Sequence, residues 1–247
     1  MSGHSKWATI KRKKGAIDAK RGQLFGKIIK EITIAARNGS DLAANPRLRA
    51  AVQTARANNL PIKNIDNAIN KAASKDASTL EEVGYEGYGP GGVAMLIEAV
   101  TDNRNRTVGE IRNILSKRGG SMADAGSVSY IFKTKGVISV DVKSIDEDKI
   151  LELVLDAGAE DMQKENEFYE ITTEIADFER VKNILGKNNI SISNSEITKI
   201  AESVVKLTGE PARKIIGLVE ALEDHDDVQR VHANFDIDFN ELENISA

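Results

Sequence analysis

The chain has 247 residues, of which 40% are hydrophobic and 29% charged, a composition typical of a soluble globular protein with room for two or three domains. It contains no cysteine, which excludes disulfide bonds, thiolate metal sites and thiol nucleophiles. The net charge of −4 hides an asymmetry, because residues 1–80 carry 16 basic and 5 acidic side chains, whereas the remainder carries 18 basic and 33 acidic ones.

The first 80 residues thus have a formal charge of +11 and the other 167 a formal charge of −15. Clustered cations are typical of proteins that bind a polyanion, and we expect nucleic acid here, although a merely solvated basic surface is the alternative. The acidic remainder would repel phosphates and confine their contact to one end of the molecule. The sequence shows neither a signal-peptide core nor the ~20 apolar residues of a membrane span, so we expect a cytoplasmic protein without a membrane partner.

Three amphipathic helices are predicted within the basic segment. The first covers residues 19–38, where apolar side chains recur at three- and four-residue steps. The second begins with Asn45 as N-cap and Pro46 at the first helical position. The third follows a break at residues 58–61, and the whole resembles a helix-turn-helix module. The apolar positions of the third helix are Ile62, Ile65 and Ile69.

A basic, glycine-punctuated arm at residues 5–21 precedes these helices. Such an arm can become ordered against a phosphate backbone when it binds. Trp7 lies in the arm and could stack on an unpaired base, but packing against the helical bundle is the interpretation that we favour. The residues expected to contact phosphate are Lys6, Lys11, Arg12, Lys13, Lys14, Lys20 and Arg21 around the arm, and Lys27, Lys30, Arg37, Arg47, Arg49 and Arg56 on the helices.

After a polar segment at residues 73–83 the pattern changes to alternating strands and helices. Strands are predicted at residues 93–101, 127–132, 137–142, 167–173 and 190–201 and around 231–237, and helices at residues 107–117, 148–157, 178–185 and 211–222. This alternation indicates split β-α-β units, so the predicted fold class is α+β with two ferredoxin-like domains after the helices.

Two apparent turns, at residues 133–136 and 206–210, suggest that one of these domains is inserted into the other. The predicted domains are residues 1–80, a discontinuous α/β domain of residues 81–134 plus 205–247, and an inserted α/β domain of residues 135–204. A linear arrangement of the two α/β domains is the alternative.

Two loops carry residues that could bind a ligand. The glycine cluster at residues 85–92 lacks the spacing of nucleotide-binding loops and predicts a hinge or close-packed turn, with an enzymatic cleft as the disfavoured alternative. The loop at residues 101–107 presents Arg104 and Arg106 beside a helix N-terminus. Such a loop can hold phosphate as a second, weaker site, or it can be a capped turn with exposed arginines.

No catalytic residue, metal site or cofactor is predicted. His225 and the adjacent acidic pair Asp226 and Asp227 are expected in a turn, with His232 on the strand face opposite Val231, so these residues do not form a metal set. The sequence has no nucleophile–histidine–acid order, paired-carboxylate pocket or zinc-protease motif.

Six motifs occur in order along the chain, and together they resemble the YebC/PmpR family, which includes a mitochondrial translational activator of cytochrome oxidase subunit I. They are Gly3-His4-Ser5-Lys6-Trp7, the basic run at residues 11–14, Asn45-Pro46-Arg47-Leu48-Arg49, Asn59-Leu60-Pro61, Tyr85-Glu86-Gly87-Tyr88-Gly89-Pro90 and Asp102-Asn103-Arg104-Asn105-Arg106-Thr107. The resemblance spans essentially the whole chain and implies a helical domain followed by two α/β domains. The third helix departs from the family with Asp66-Asn67 where relatives commonly carry Glu-Arg, which weakens a phosphate contact there.

The resemblance implies either a DNA-binding transcriptional regulator, the usual description of bacterial members, or a translation factor that acts on ribosomal RNA or tRNA when synthesis slows. The residues themselves favour RNA, because no recognition helix with base-reading side chains stands out. The family description favours DNA. We therefore predict a non-enzymatic DNA-binding regulator, keep the RNA-binding translation factor as the alternative, and take a monomer as the default oligomeric state.

Overall fold

The computed structural model describes most of the chain, namely Trp7 and residues 21–72, 79–165 and 167–246. A helical domain comes first, as predicted, and has a hydrophobic core of its own in which Ile32, Leu48 and Ala55 are fully buried. Its helices are α1 (Arg21–Ala36), α2 (Pro46–Ala57) and α3 (Ile62–Ala72). The apolar stripe predicted for the third helix is wrong at its first position, since Ile62 is 70% exposed whereas Ile65 is buried.

Asn45 joins the first two helices. Its side-chain oxygen accepts the N–H of Leu48 at 3.0 Å, which confirms the predicted N-cap of α2. Its amide nitrogen donates to the carbonyls of Ala35, at the end of α1, and of Gly39, both at 2.8 Å. The bond to Ala35 is buried, so water cannot readily replace Asn45 as the partner of that carbonyl.

We expect the Asn45→Ala variant to lose about 2 kcal/mol of unfolding free energy, because the cap acceptor and both donors disappear together. Asn45→Ser keeps a cap acceptor and is expected to lose about half as much. Urea denaturation of the two variants and the wild type measures the difference. Equal stability of Asn45→Ala and the wild type would contradict this role.

From residue 81 the described chain alternates strands and helices, as predicted. The elements are β1 (Glu81–Gly89), β2 (Val93–Thr101), α4 (Arg104–Lys117), β3 (Ser121–Ala123), β4 (Phe132–Asp141), α5 (Glu147–Asp156), β5 (Ala159–Glu165), β6 (Phe168–Thr173), α6 (Ile175–Lys187), β7 (Ile192–Ala201), β8 (Val205–Lys206), α7 (Gly209–Glu223), β9 (Val228–Ala233), β10 (Phe235–Asp236) and α8 (Phe239–Ser246). The fold class is therefore α+β. No helix in this described part is both long and apolar enough to cross a bilayer.

The first sheet has the strand order β3-β1-β2-β9, and all its pairs are antiparallel. One face packs against α4 and α7, and Met95, Ile97 and Ile215 are fully buried there. β8 and β10 form a separate parallel pair. The first sheet therefore combines β1, β2 and β3, which precede the second sheet in the sequence, with β9, which follows it.

The second sheet has the order β5-β6-β4-β7 and is built from a β-α-β-β-α-β segment, which is the ferredoxin-like arrangement. Two details of the prediction are wrong. Residues 133–136 are not a turn but lie within the continuous strand β4, so the predicted domain limit at residue 134 falls inside that strand. Residues 129–131, predicted as part of a strand, form a short 3₁₀ helix instead.

The two sheets contact each other through a small cluster that includes Leu96, Phe132 and Ala201. His232 is buried beside it, with Nε2 3.4 Å from a carboxylate oxygen of Glu98. The close approach of the His232 ring and an ion pair with Lys199 lower the pKa of Glu98 to about 2. His232 lies on the strand face opposite Val231, as predicted, and its contacts are structural.

Candidate nucleic-acid interface

Two lysines of α1, Lys27 and Lys30, bind acceptors of the α/β body. Lys27 donates to the carbonyl of Glu223, and Lys30 donates to the carbonyl of Asp226 at 3.0 Å and to Oδ1 of Asp227 at 2.6 Å. These acceptors lie at and just beyond the C-terminal end of α7, where carbonyls lack helical partners and favour positive charge. Lys27 and Lys30, expected to contact phosphate, therefore dock the helical domain onto the α/β body, and a phosphate would have to displace these bonds.

Two arginines expected to contact phosphate also bridge to the body. Arg37 donates to the carbonyl of Leu80 at 2.8 Å. Arg47 donates to Glu31 at 2.8 Å and to Glu82 at 3.2 Å. Its hydrogen bonds to these carboxylates, the one to Glu82 foremost, raise the pKa of Arg47 above its ordinary value. Both guanidinium groups are thus engaged between the helical domain and the region around β1.

The remaining predicted cations of the helical domain face solvent. Arg56 is exposed and has no side-chain hydrogen bond or ion pair within the described residues. Arg49 is exposed and bonds to the carbonyls of Leu42 and Ala43, and Arg21 lies 5.3 Å from the ring centroid of Phe25. Lys6, Lys11, Arg12, Lys13, Lys14 and Lys20 lie outside the described residues. Two exposed cations on α3, Lys63 and Lys71, were not singled out from the sequence.

The loop at residues 101–107 is a capped strand–helix turn. The side chain of Asn103 accepts the N–H of Arg106 at 3.1 Å and so begins α4. The guanidinium of Arg106 bonds to Oδ2 of Asp227 at 2.8 Å and to Asp102 at 3.0 Å. Hydrogen bonding to Asp227 raises the pKa of Arg106. Arg104 is exposed, so the two arginines predicted to act together have different surroundings.

Asp227 is the centre of this docking contact, although nothing in the local sequence marked it as such. Its carboxylate is 5% exposed and accepts from Lys30, Arg106, Thr107 at 2.6 Å and Thr101 at 3.2 Å. Burial by itself would raise the pKa of Asp227, but the bonds from Lys30, Thr107 and Arg106 outweigh it and hold the pKa well below its usual range.

The cleft around Asp227 has a volume of about 560 Å³. Five carboxylates and two cations line it within the described part of the chain, so its local charge is negative and disfavours phosphate. The carboxylates are those of Asp102, Glu110, Asp224, Asp226 and Asp227. The cleft therefore disfavours a polyanion, whereas exposed cations lie on the outer surface of the helical domain.

Glu110, His225 and Asp227 bring possible metal-ligand atoms within 4.8 Å of one another. His225 Nε2 lies 2.9 Å from a carboxylate oxygen of Glu110, and its Nδ1 accepts the main-chain N–H of Asp227 at 3.1 Å. Both ring nitrogens are thus used in hydrogen bonds, Nδ1 within the turn in which the sequence placed this histidine and Nε2 with Glu110 of α4. These hydrogen bonds hold Glu110, His225 and Asp227 together.

Trp7 is 3% exposed and belongs to the hydrophobic core of the first sheet, a cluster that also contains Tyr85 and Phe168. The prediction that it packs rather than presents a stacking face is consistent with this burial. The predicted location is wrong, however, because Trp7 is in the core of the α/β body and not in that of the helical bundle.

Comparison with known proteins gives matches over nearly the whole chain. Residues 5–75 match the family model described as the TACO1/YebC protein N-terminal domain, and residues 80–235 match that of the TACO1/YebC second and third domain. The chain belongs to the TACO1/YebC family. The resemblance seen in the ordered motifs is thereby confirmed.

Several family members are similar over their full length. A protein of Chlorobaculum tepidum named "Probable transcriptional regulatory protein" is 51% identical over 240 residues, covering 96% of each chain. One of Geobacter sulfurreducens with the same description is 51% identical over 247 residues, covering 99% of this chain and all of that protein. The crystal structure of a conserved hypothetical protein from Aquifex aeolicus is similar with a TM-score of 0.78 at 44% identity, covering 90% of this chain and 93% of that one. Named relatives in the TACO1/YebC family are thus described as regulators.

Proposed function

We propose that this protein is a non-enzymatic regulator of transcription that binds DNA through the outer surface of its helical domain and the preceding basic arm. The observation that carries the proposal is the charge separation along a TACO1/YebC chain, with +11 in the first 80 residues and −15 in the rest. The names of the relatives from Chlorobaculum tepidum and Geobacter sulfurreducens support the transcriptional role.

The contacts within the structure limit which cations are available to phosphate. Lys27, Lys30, Arg37 and Arg47 hold the helical domain against the body, and Arg106 bonds to Asp227, the carboxylate that also accepts from Lys30. Mutating these residues would disturb that contact as well as any binding. The proposed phosphate contacts are therefore the arm, with Lys11, Arg12, Lys13 and Lys14 at its centre, and the outward cations Arg21, Arg49 and Arg56, with Arg104 as a more distant one.

Replacing Lys11, Arg12, Lys13 and Lys14 together with alanine is expected to weaken binding of duplex DNA at least tenfold at low salt. Each lost phosphate contact also removes a released counterion, so the slope of log K against log salt should fall in magnitude by about 3 to 4. Fluorescence anisotropy with a labelled duplex, repeated over a range of salt concentrations, measures both quantities.

The matched control replaces four exposed lysines of the α/β body, namely Lys143, Lys149, Lys187 and Lys206. This control removes the same formal charge and should leave the salt slope unchanged. An equal loss in both variants would mean that net charge alone governs binding, and an unchanged slope in the arm variant would remove the arm from the interface.

Identifying the nucleic acid bound in living cells distinguishes a DNA-binding regulator from an RNA-binding translation factor. Crosslinking in cells followed by sequencing should recover discrete promoter DNA if the proposal is correct. Enrichment of ribosomal RNA or tRNA instead would make the protein a translation factor and overturn the transcriptional role.

A further inference from the structure

The second and third helices form a compact helix-turn-helix pair. Residues 58–61 join α2 to α3, with Asn59 in the left-handed region at φ 57° and the N–H of Leu60 bonded to the carbonyl of Ala55 at 2.9 Å. Ile65 and Ala68 pack α3 into the core of the helical domain. The opposite side of α3 faces solvent, which is the orientation of the second helix in modules that insert it into a DNA groove.

The exposed side of α3 carries one continuous polar stripe. At about 100° per residue, its members fall within about 120° of the helix circumference, which is one face. They are Lys63, Asn64, Asn67, Asn70 and Lys71, all exposed. The stripe contains two cations and no acid, and Asp66 lies at its flank.

The three asparagines of the stripe have no internal role in the described structure. The amides of Asn45, Asn58 and Asn188 each bond to main-chain carbonyls, whereas no side-chain hydrogen bond joins those of Asn64, Asn67 and Asn70 to another described residue. Asparagine has a low helix propensity, so three of them in a helix of 11 residues destabilise the helix. No hydrogen bond to another described residue compensates for this cost. Their amides are therefore available to an external partner that offers both donors and acceptors.

We infer that this stripe is a base-reading surface that lies in the major groove of duplex DNA, an inference that rests on the proposed function and specifies its target. An asparagine amide can bond to N6 and N7 of adenine together, and lysine suits guanine or phosphate. An α-helix with its side chains is about 10 to 12 Å in diameter, which fits a B-form major groove about 12 Å wide. The major groove of A-form RNA is too deep and narrow for side chains to read, so the geometry favours DNA.

The test is a selection from duplex DNA of randomised sequence, followed by anisotropy on the recovered duplexes. The stripe variant carries Asn64→Ala, Asn67→Ala and Asn70→Ala, and the matched control carries Asn113→Ala, Asn183→Ala and Asn240→Ala, three exposed asparagines on helices of the α/β body. Alanine favours the helix more than asparagine does, so the stripe variant should fold, and circular dichroism checks this.

The wild type and the control should enrich one common sequence that contains adenine. The stripe variant should keep its low-salt affinity for unrelated duplexes and lose at least tenfold in preference for the enriched sequence. Recovery of the same sequence by the stripe variant would overturn the inference. Binding by the wild type without any enriched sequence would also overturn it and leave the proposed function standing, whereas wild-type binding to RNA but not to duplex DNA would remove both.

Discussion

Replacing Asp227 with alanine is expected to lower the free energy of unfolding by about 3 kcal/mol. The carboxylate is 5% exposed and joins Lys30 of the helical domain to Arg106, Thr101 and Thr107 of the body. Its removal takes away one acceptor from each of two cations and two hydroxyl groups. The loss is at the lower end of that for breaking a buried pair, because the side chains of Lys30 and Arg106 are 24% and 43% exposed and can gain water.

Asp227→Asn removes the charge of this side chain but keeps its shape, and so isolates the contribution of the charge to stability. The pKa of Asp227 is lowered in the folded protein, so its ionised form contributes stability that is complete above the unfolded pKa of about 3.9 and is lost as the pH falls below it. The stability difference between the wild type and Asp227→Asn should thus be constant from neutral pH down to about pH 5 and shrink at lower pH. Urea denaturation at several pH values measures it.

The neighbouring residue provides the control for Asp227. Asp226 is exposed, and only its main-chain carbonyl takes part in the docking contact, so Asp226→Ala should change stability by less than about 0.5 kcal/mol. Equal effects at the two positions would show that general acidity of the turn, and not the four-fold acceptor role of Asp227, holds the domains together.

The helical domain could be predicted from sequence because its signals are local. Asn45 and Pro46 begin α2 where the sequence placed them, and the apolar spacing of Leu48, Val52 and Ala55 corresponds to a buried face. A cap and a helical period are both contained within one or two turns of chain. Ile62 departs from this because it is the first residue of α3, where the helix projects beyond the core.

The glycine-rich strands could not be predicted in the same way. Gly87 and Gly89 lie inside β1, where a Cβ atom would come within 2.7 Å of the Ser121 carbonyl oxygen or 2.5 Å of Ile215. Gly136 lies inside β4, where a Cβ would come within 2.4 Å of Phe178 and of Thr173. These glycines permit close packing by residues distant in sequence, but in the sequence alone they indicate turns.

In the candidate site, too, local features could be predicted from the sequence, whereas contacts between distant residues could not. The sequence shows where positive charge is concentrated, but the partners of Lys27 and Lys30 are about 200 residues away, so their docking role depends on the tertiary fold. The asparagines of α3 were each visible, yet their common exposure became apparent only when Ile65 and Ala68 had fixed the buried side of the helix. Local charge therefore indicates a class of ligand, and the fold decides which residues can reach it.

Glu86→Ala is expected to cost about 3 kcal/mol of unfolding free energy, because a single buried carboxylate closes the loop before β4. Its oxygens accept the main-chain N–H groups of Gly126 at 2.8 Å, Val128 at 2.6 Å and Ser129 at 3.0 Å. Burial would raise the pKa of Glu86, but these three bonds lower it, so the stabilisation is present above about pH 4 and lost below.

Hydrogen exchange in this loop distinguishes a local role of Glu86 from a role in the stability of the whole sheet. Val128 is fully buried in the cluster that joins the two sheets, so releasing its N–H should loosen that contact. In Glu86→Ala, hydrogen exchange at Gly126, Val128 and Ser129 should accelerate more than at β2, whose ladder remains intact. Glu86→Gln keeps one acceptor oxygen, so its unfolding free energy and its exchange rates in the loop should lie between those of the wild type and Glu86→Ala. Glu81→Ala, at an exposed position on the same strand, should change neither the unfolding free energy nor the exchange rates. Uniform acceleration across the first sheet would instead mean that Glu86 supports β1 as a whole and not the loop that it binds.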